Sequence, residues 1–161
     1  MKVSRTVIMS GLLVVAAAAS AAAQTATQSV ALQVDAINQI SVTGTPSLTI
    51  TAAVAGGAPT TATSTGNTWA VTTNQTTAKI TASINTNMGS GFTLSADLSA
   101  PAGATSAGSV SLSTTAVDVV TGITKLNQSS LALSYSLSAT SAAGTLAATT
   151  RTVTYTITGG V

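Results

Sequence analysis

Few side chains in this 161-residue chain could carry bond-breaking chemistry. The sequence contains no histidine, cysteine or glutamate, which removes most metal ligands, the thiol nucleophiles and the commonest general bases. Its three carboxylates, Asp35, Asp97 and Asp118, each stand alone in their strand or turn context. No S-x-x-K spacing supports a serine–lysine dyad with Lys79 or Lys125. We therefore expect solvated, outward-facing aspartates, no metal or cofactor site, and a protein that is not an enzyme.

Two other features could form a binding surface that catalyses no reaction. Trp69 is the single tryptophan and could stack on a sugar, but glycan platforms usually combine several aromatic residues, so a core position is favoured. Residues 152 to 158 form a T-x-T ladder, a spacing that also occurs in ice-binding proteins. That role requires the threonines to recur in register on neighbouring strands, and the chain has no repeat of fixed period. An ordinary outward strand face is the preferred interpretation.

The first 23 residues predict a cleaved secretory signal peptide. Lys2 and Arg5 precede a short uncharged apolar run, and small residues follow up to Ala23. The A-x-A pattern, with Ala21 and Ala23 before Gln24, places cleavage after Ala23, within about two residues. The apolar run is too short for a membrane span, so we expect none in the mature chain. The leader is typical of bacteria, and we expect a protein that passes through the periplasm and is secreted or displayed on the cell surface.

Removal of this leader changes the electrostatic character of the chain. The mature residues 24–161 keep three basic residues, Lys79, Lys125 and Arg151, against the three aspartates, so their formal net charge is zero. The basic isoelectric point therefore belongs to the leader and supports no nucleic-acid partner. Without cysteine, the mature chain must fold by burial and hydrogen bonding alone.

Apolar and hydroxyl side chains alternate along most of the mature chain, which predicts an all-β protein. We expect one domain over residues 24–161, an antiparallel immunoglobulin-like β-sandwich of about nine short strands. Gly66-Asn67 is expected to be a turn, and residues 60 to 65 a weak edge strand or a loop. The nine predicted stretches contain residues 28–42, 48–54, 69–73, 80–84, 92–98, 110–112, 117–120, 131–137 and 153–157.

The segment Gln28 to Val42 has the longest alternating pattern, because nearly all its even positions are apolar and most odd positions are polar. It exceeds the five or six residues of a typical strand, which indicates two strands in line or one long arm. With its surroundings, TATQSVALQVDAINQISVTG, it resembles the N-terminal segments of fimbrial major subunits of the CFA/I-like class. The remaining Thr/Ser/Ala-rich strands, ending in RTVTYTIT, are similar in composition to secreted bacterial pilins.

This resemblance implies self-association by strand donation. The N-terminal strand of one subunit would fill a hydrophobic groove in the incomplete sandwich of the next. Val30, Leu32 and Val34 would then enter the neighbour's groove, within an arm of residues 24–36, while Ile40 and Val42 would belong to the subunit's own sheet. Asp35 to Asn38 would form the hinge. The alternatives are that Gln28 to Val34 pairs within its own domain, that the protein is a monomeric adhesion module for glycan or matrix, and, more remotely, that it binds ice.

Overall fold

The computed structural model describes residues 23–160, which contain nine β-strands and one short 3₁₀ helix at Ser141–Ala143. The strands, numbered in chain order, are β1 (Asn38–Thr43), β2 (Ala62–Thr73), β3 (Thr76–Ile84), β4 (Phe92–Leu98), β5 (Thr105–Ser106), β6 (Val110–Ser111), β7 (Val117–Ile123), β8 (Leu126–Ala139) and β9 (Val153–Gly160).

The strands form two sheets in which every pairing is antiparallel, which confirms the all-β prediction and agrees with a β-sandwich. The first sheet has the order β1-β2-β8-β4-β6, and the second has the order β5-β7-β3-β9. Within the described residues, β1 and β9 are therefore edge strands with several ladder positions each, whereas the edges formed by β5 and β6 are only two residues long.

The core lies where the alternating pattern places it. The inward positions of β3, β4 and β8 are buried, with Ile80, Leu98 and Leu133 among the largest fully buried side chains. Trp69 is 1% exposed, so the predicted core position of this residue is confirmed. Its neighbours across β2 and β8 are aliphatic, so a nearly charge-free sequence still buries a continuous apolar layer.

The predicted turn at Gly66-Asn67 is wrong, because β2 runs through both residues. The pairing of β2 with β8 changes register between Ser64 and Asn67, and Gly66 has a positive φ of 83°. A glycine in that conformation creates a bulge, which absorbs an extra residue without ending the strand. The Asn67 side chain is buried, and its Nδ2 donates to the Ser64 carbonyl at 3.4 Å. β2 begins at Ala62 and lies between β1 and β8, so most of residues 60 to 65 belong to an interior strand and not to the predicted edge strand or loop.

The strand predicted at residues 48–54 is also wrong. This segment has only an isolated bridge between Ala53 and Pro59, closed by a bond from the Thr60 amide to the Ala52 carbonyl of 2.8 Å. Leu48 packs against the core, but Val54 is 76% exposed. Alternation made the segment compatible with a strand, yet a strand also needs a hydrogen-bonded neighbour, and no sheet among residues 23–160 includes it.

Of the long N-terminal alternating pattern, only its second part is a strand. β1 pairs with β2, so Ile40 and Val42 belong to a sheet of their own chain, as predicted. Residues 23–37 have no regular secondary structure. The chain divides into two units between Gln33 and Val34, and both sheets belong to the second. The predicted signal peptide lies outside the described residues apart from Ala23, which is exposed, as is Gln24.

Candidate functional site

Three alternate apolar side chains before the first strand are exposed to solvent. Val30, Leu32 and Val34 are 70%, 89% and 82% exposed, the highest values of any large apolar residues here apart from Val54. Complete burial of such a side chain is worth roughly 1.5–3 kcal/mol, so this exposure forgoes several kcal/mol that a suitable partner could recover. We call residues 24–34 the arm.

The outer edge of β9 is the complementary feature. Among residues 23–160, β9 pairs with β3 only, and its inward side chains Val153, Tyr155 and Ile157 are half-buried. Their partners in the same three rungs of β3 are Ile84, Ala82 and Ile80, all at most 3% exposed. The apolar layer is therefore complete on β3 and incomplete one strand further out. We call the unpaired side of β9 the open edge.

A hydrogen bond between two tyrosines joins the sheets behind the open edge. The Tyr155 hydroxyl on β9 donates to the Tyr135 hydroxyl on β8 across 3.0 Å. Burial raises the pKa of both phenols above the usual value of 10, and their mutual hydrogen bond raises the pKa of Tyr155 further. Both rings therefore stay neutral at any physiological pH and act as apolar wall with one satisfied polar contact.

At one end of β9 the two edge strands approach closely. A Cβ added to Gly159 would lie 2.5 Å from the side-chain nitrogen Nδ2 of Asn38, on β1, and 2.9 Å from Cγ of Gln75. A residue with a Cβ at this position would force the Asn38 and Gln75 side chains to shift. The start of β1 therefore packs against β9 at its Gly159 end.

The hinge predicted at Asp35 to Asn38 is held by the residue that follows β2. Asn74 donates from Nδ2 to the Asp35 carbonyl at 2.8 Å, and its Oδ1 accepts from the Ile37 amide at 2.8 Å. Its backbone amide donates to the Ile37 carbonyl at 3.2 Å. A shallow notch of about 370 Å³, lined in part by Ile37, Asn74 and Asn127, adjoins this contact.

The three aspartates lie in different parts of the described chain: Asp35 precedes β1, Asp97 is on β4 and Asp118 is on β7. All three are exposed, as predicted. Asp118 on β7 pairs with Lys79 on β3, with 2.9 Å between Oδ1 and Nζ. Asp97 lies on the outer face of β4. Within residues 23–160, no three His, Cys, Asp or Glu side chains are grouped as a metal site would require.

The threonine ladder of β9 recurs on β3 at two positions. Thr156 lies opposite Thr81, and Thr154 lies opposite Ser83. The next position, opposite Thr158, is Lys79, whose side chain is held by Asp118. The hydroxyl array is thus two rungs deep before a charged pair interrupts it. Trp69 contributes nothing to any surface, because it is buried.

The sequence predicted the strand at 153–157 and suggested a donor arm at residues 24–36, but it did not identify the open edge or the contacts of Asn74. Alternation marked Val153, Tyr155 and Ile157 as one strand face, yet it carried no information on whether a further strand would lie beside β9. Asn74 stands in the polar sequence Asn74-Gln75-Thr76, which carries no local signal of a contact with residues 35–37.

Comparison with protein-family models, with curated proteins and with solved structures found no match. No helix in the described part of the chain is long and apolar enough to cross a membrane.

Proposed function

We propose that this protein is a non-enzymatic structural subunit, secreted or held at the cell surface, that assembles into a fibre by strand donation. The arm of one subunit adds to the open edge of β9 in the next, and Val30, Leu32 and Val34 cover the apolar layer that is incomplete there. The observation that carries this proposal is the match between three exposed alternate apolar residues and three half-buried ones.

The strand order supports this assignment. In immunoglobulin-like sandwiches one sheet contains strands A, B, E and D, and the other contains C, F and G. The order β1-β2-β8-β4 corresponds to A-B-E-D, and the neighbours β3 and β9 correspond to C and F. Among residues 23–160, no strand occupies the position of G beside β9. A donated strand at that position would complete the immunoglobulin-like arrangement that the sequence predicted.

Both the arm and the open edge of β9 would be stabilised by a partner from another molecule. An unpaired strand edge presents a row of free backbone donors and acceptors, which another extended segment can satisfy. The balanced charges of the mature chain add little repulsion between copies. Strand addition therefore satisfies backbone groups and buries apolar surface on both partners at once.

Complementation in trans tests the proposal. A variant lacking residues 24–34 should not form filaments, and a synthetic peptide of residues 24–36 should bind to it and raise its melting temperature by several degrees. A control peptide with serine at positions 30, 32 and 34 should do neither. Unchanged filament formation without the arm, or equal binding of both peptides, would refute strand donation.

The two alternatives have weaker support. A monomeric glycan- or matrix-binding module would need an exposed aromatic platform, and Trp69 is buried. An ice-binding surface would need a deeper hydroxyl array than the two rungs between β3 and β9. Thermal hysteresis and glycan-array measurements on the arm-deleted monomer would test both, and a positive result in either would replace the fibre proposal.

A further inference from the structure

Asn74 makes three hydrogen bonds to residues 35–37, the segment between the arm and β1, which we call the base of the arm. The partners are the Asp35 carbonyl, the Ile37 amide and the Ile37 carbonyl, at 2.8, 2.8 and 3.2 Å. The arm-proximal residues are thus fixed to the end of β2, although residues 35–37 themselves have no regular secondary structure.

The register of β1 on β2 explains why this contact uses a side chain. The ladder ends with Asn38 opposite Thr73, so Ile37 and Asn74 would form the next pair. The backbone amide of Asn74 makes its expected bond, but its side-chain oxygen, rather than its carbonyl, accepts from Ile37. Asparagine suits this task because its amide offers a donor and an acceptor on one short side chain.

Neighbouring residues hold the Asn74 amide in this orientation. Gln75 Nε2 donates to Asn74 Oδ1 at 2.7 Å, so this oxygen accepts two hydrogen bonds. The Thr73 hydroxyl donates to Asn38 Oδ1 at 2.7 Å and accepts from the Gln75 amide at 3.0 Å. The contact between Asn74 and residues 35–37 is therefore part of a connected hydrogen-bond network and not a single surface contact.

We propose that Asn74 is the positioning residue of strand donation, an inference that rests on the fibre function proposed above. By holding residues 35–37 on its own subunit, Asn74 sets the limit of the segment that can enter a second copy, so the donated strand must end at Val34. Fixing the base of the arm also lowers the conformational entropy that is lost when the arm is ordered in a neighbour.

The test compares Asn74→Ala with Asn127→Ala, which changes an exposed asparagine of β8 lining the same notch. In the monomer, hydrogen exchange of the Ile37 amide should accelerate about tenfold in Asn74→Ala, since its acceptor is removed. Filament growth should slow at least severalfold, while binding of the 24–36 peptide to the arm-deleted protein should be unchanged. Asn127→Ala should match the wild type in all three measurements.

A second variant separates anchoring from general damage to the fold. Asn74→Asp keeps an acceptor for the Ile37 amide but places a carboxylate oxygen against the Asp35 carbonyl, so its Ile37 exchange rate and its assembly rate should lie between those of the wild type and Asn74→Ala. If wild type and Asn74→Ala assemble equally fast, or if Ile37 exchange is equal in both, the role of Asn74 is refuted and strand donation stands. If the wild type forms no filaments and the peptide does not bind, strand donation itself fails, and the role of Asn74 fails with it.

Discussion

Replacement of a single arm valine should weaken assembly without affecting the folded monomer. Val30 is 70% exposed, so Val30→Ser removes almost no burial from the subunit itself. In the fibre the same side chain would be covered. Burying the exposed part of a valine is worth about 1–1.5 kcal/mol, and placing a hydroxyl without a partner in an apolar groove costs about 1–1.5 kcal/mol more. The total of about 2–3 kcal/mol corresponds to a critical concentration about 30- to 150-fold higher.

Val54 offers a matched control for this experiment. It is 76% exposed and lies outside the arm, in the loop between β1 and β2. Val54→Ser makes the same chemical change at a similar exposure but outside the arm, so its critical concentration should equal that of the wild type.

The assay has two parts. The critical concentration is measured by sedimentation and electron microscopy, and monomer stability is measured by urea unfolding followed through the fluorescence of Trp69, which is buried in the folded state. Both variants should unfold within about 0.5 kcal/mol of the wild type. The reasoning is refuted if Val30→Ser assembles at the wild-type concentration, if both variants shift it equally, or if Val30→Ser alone destabilises the monomer.

Three further changes test the packing around the open edge. Tyr155→Phe leaves the buried Tyr135 hydroxyl without its 3.0 Å partner and should cost about 1–2 kcal/mol in urea unfolding, whereas an unchanged midpoint would show that water replaces the bond. Burial raises the pKa of both tyrosines in the folded state, so the stabilisation that they contribute is complete below pH 10 and is lost as the pH rises above it. Absorbance at 295 nm should therefore show phenolate only together with alkaline unfolding. Titration of either ring before unfolding would contradict its burial. Gly159→Ala places a Cβ 2.5 Å from the Asn38 amide and should cost about 1–3 kcal/mol, while the control Gly89→Ala, whose nearest atom is 3.7 Å away, should change the melting temperature little.

The composition and the period-two pattern of the sequence were enough to predict an all-β fold. They also placed the main inward faces correctly, because a side chain's direction along a strand depends only on its position parity. Phe92 to Leu98 and Leu131 to Leu137 lie in strands with the predicted inward residues. Outward aspartates and a buried Trp69 followed from the same local logic.

What the sequence left open was which segments find a hydrogen-bonding neighbour, since pairing depends on residues far apart in the chain. Residues 48–54 alternate as regularly as β9 but have no sheet partner among the described residues, and Gly66 forms a bulge where a turn was expected. Tertiary structure alone showed that β9 is an edge with half-buried apolar residues and that Asn74 reaches back to Ile37. A local pattern determines which face of a segment is apolar, whereas the packing of the whole molecule determines which partner covers that face.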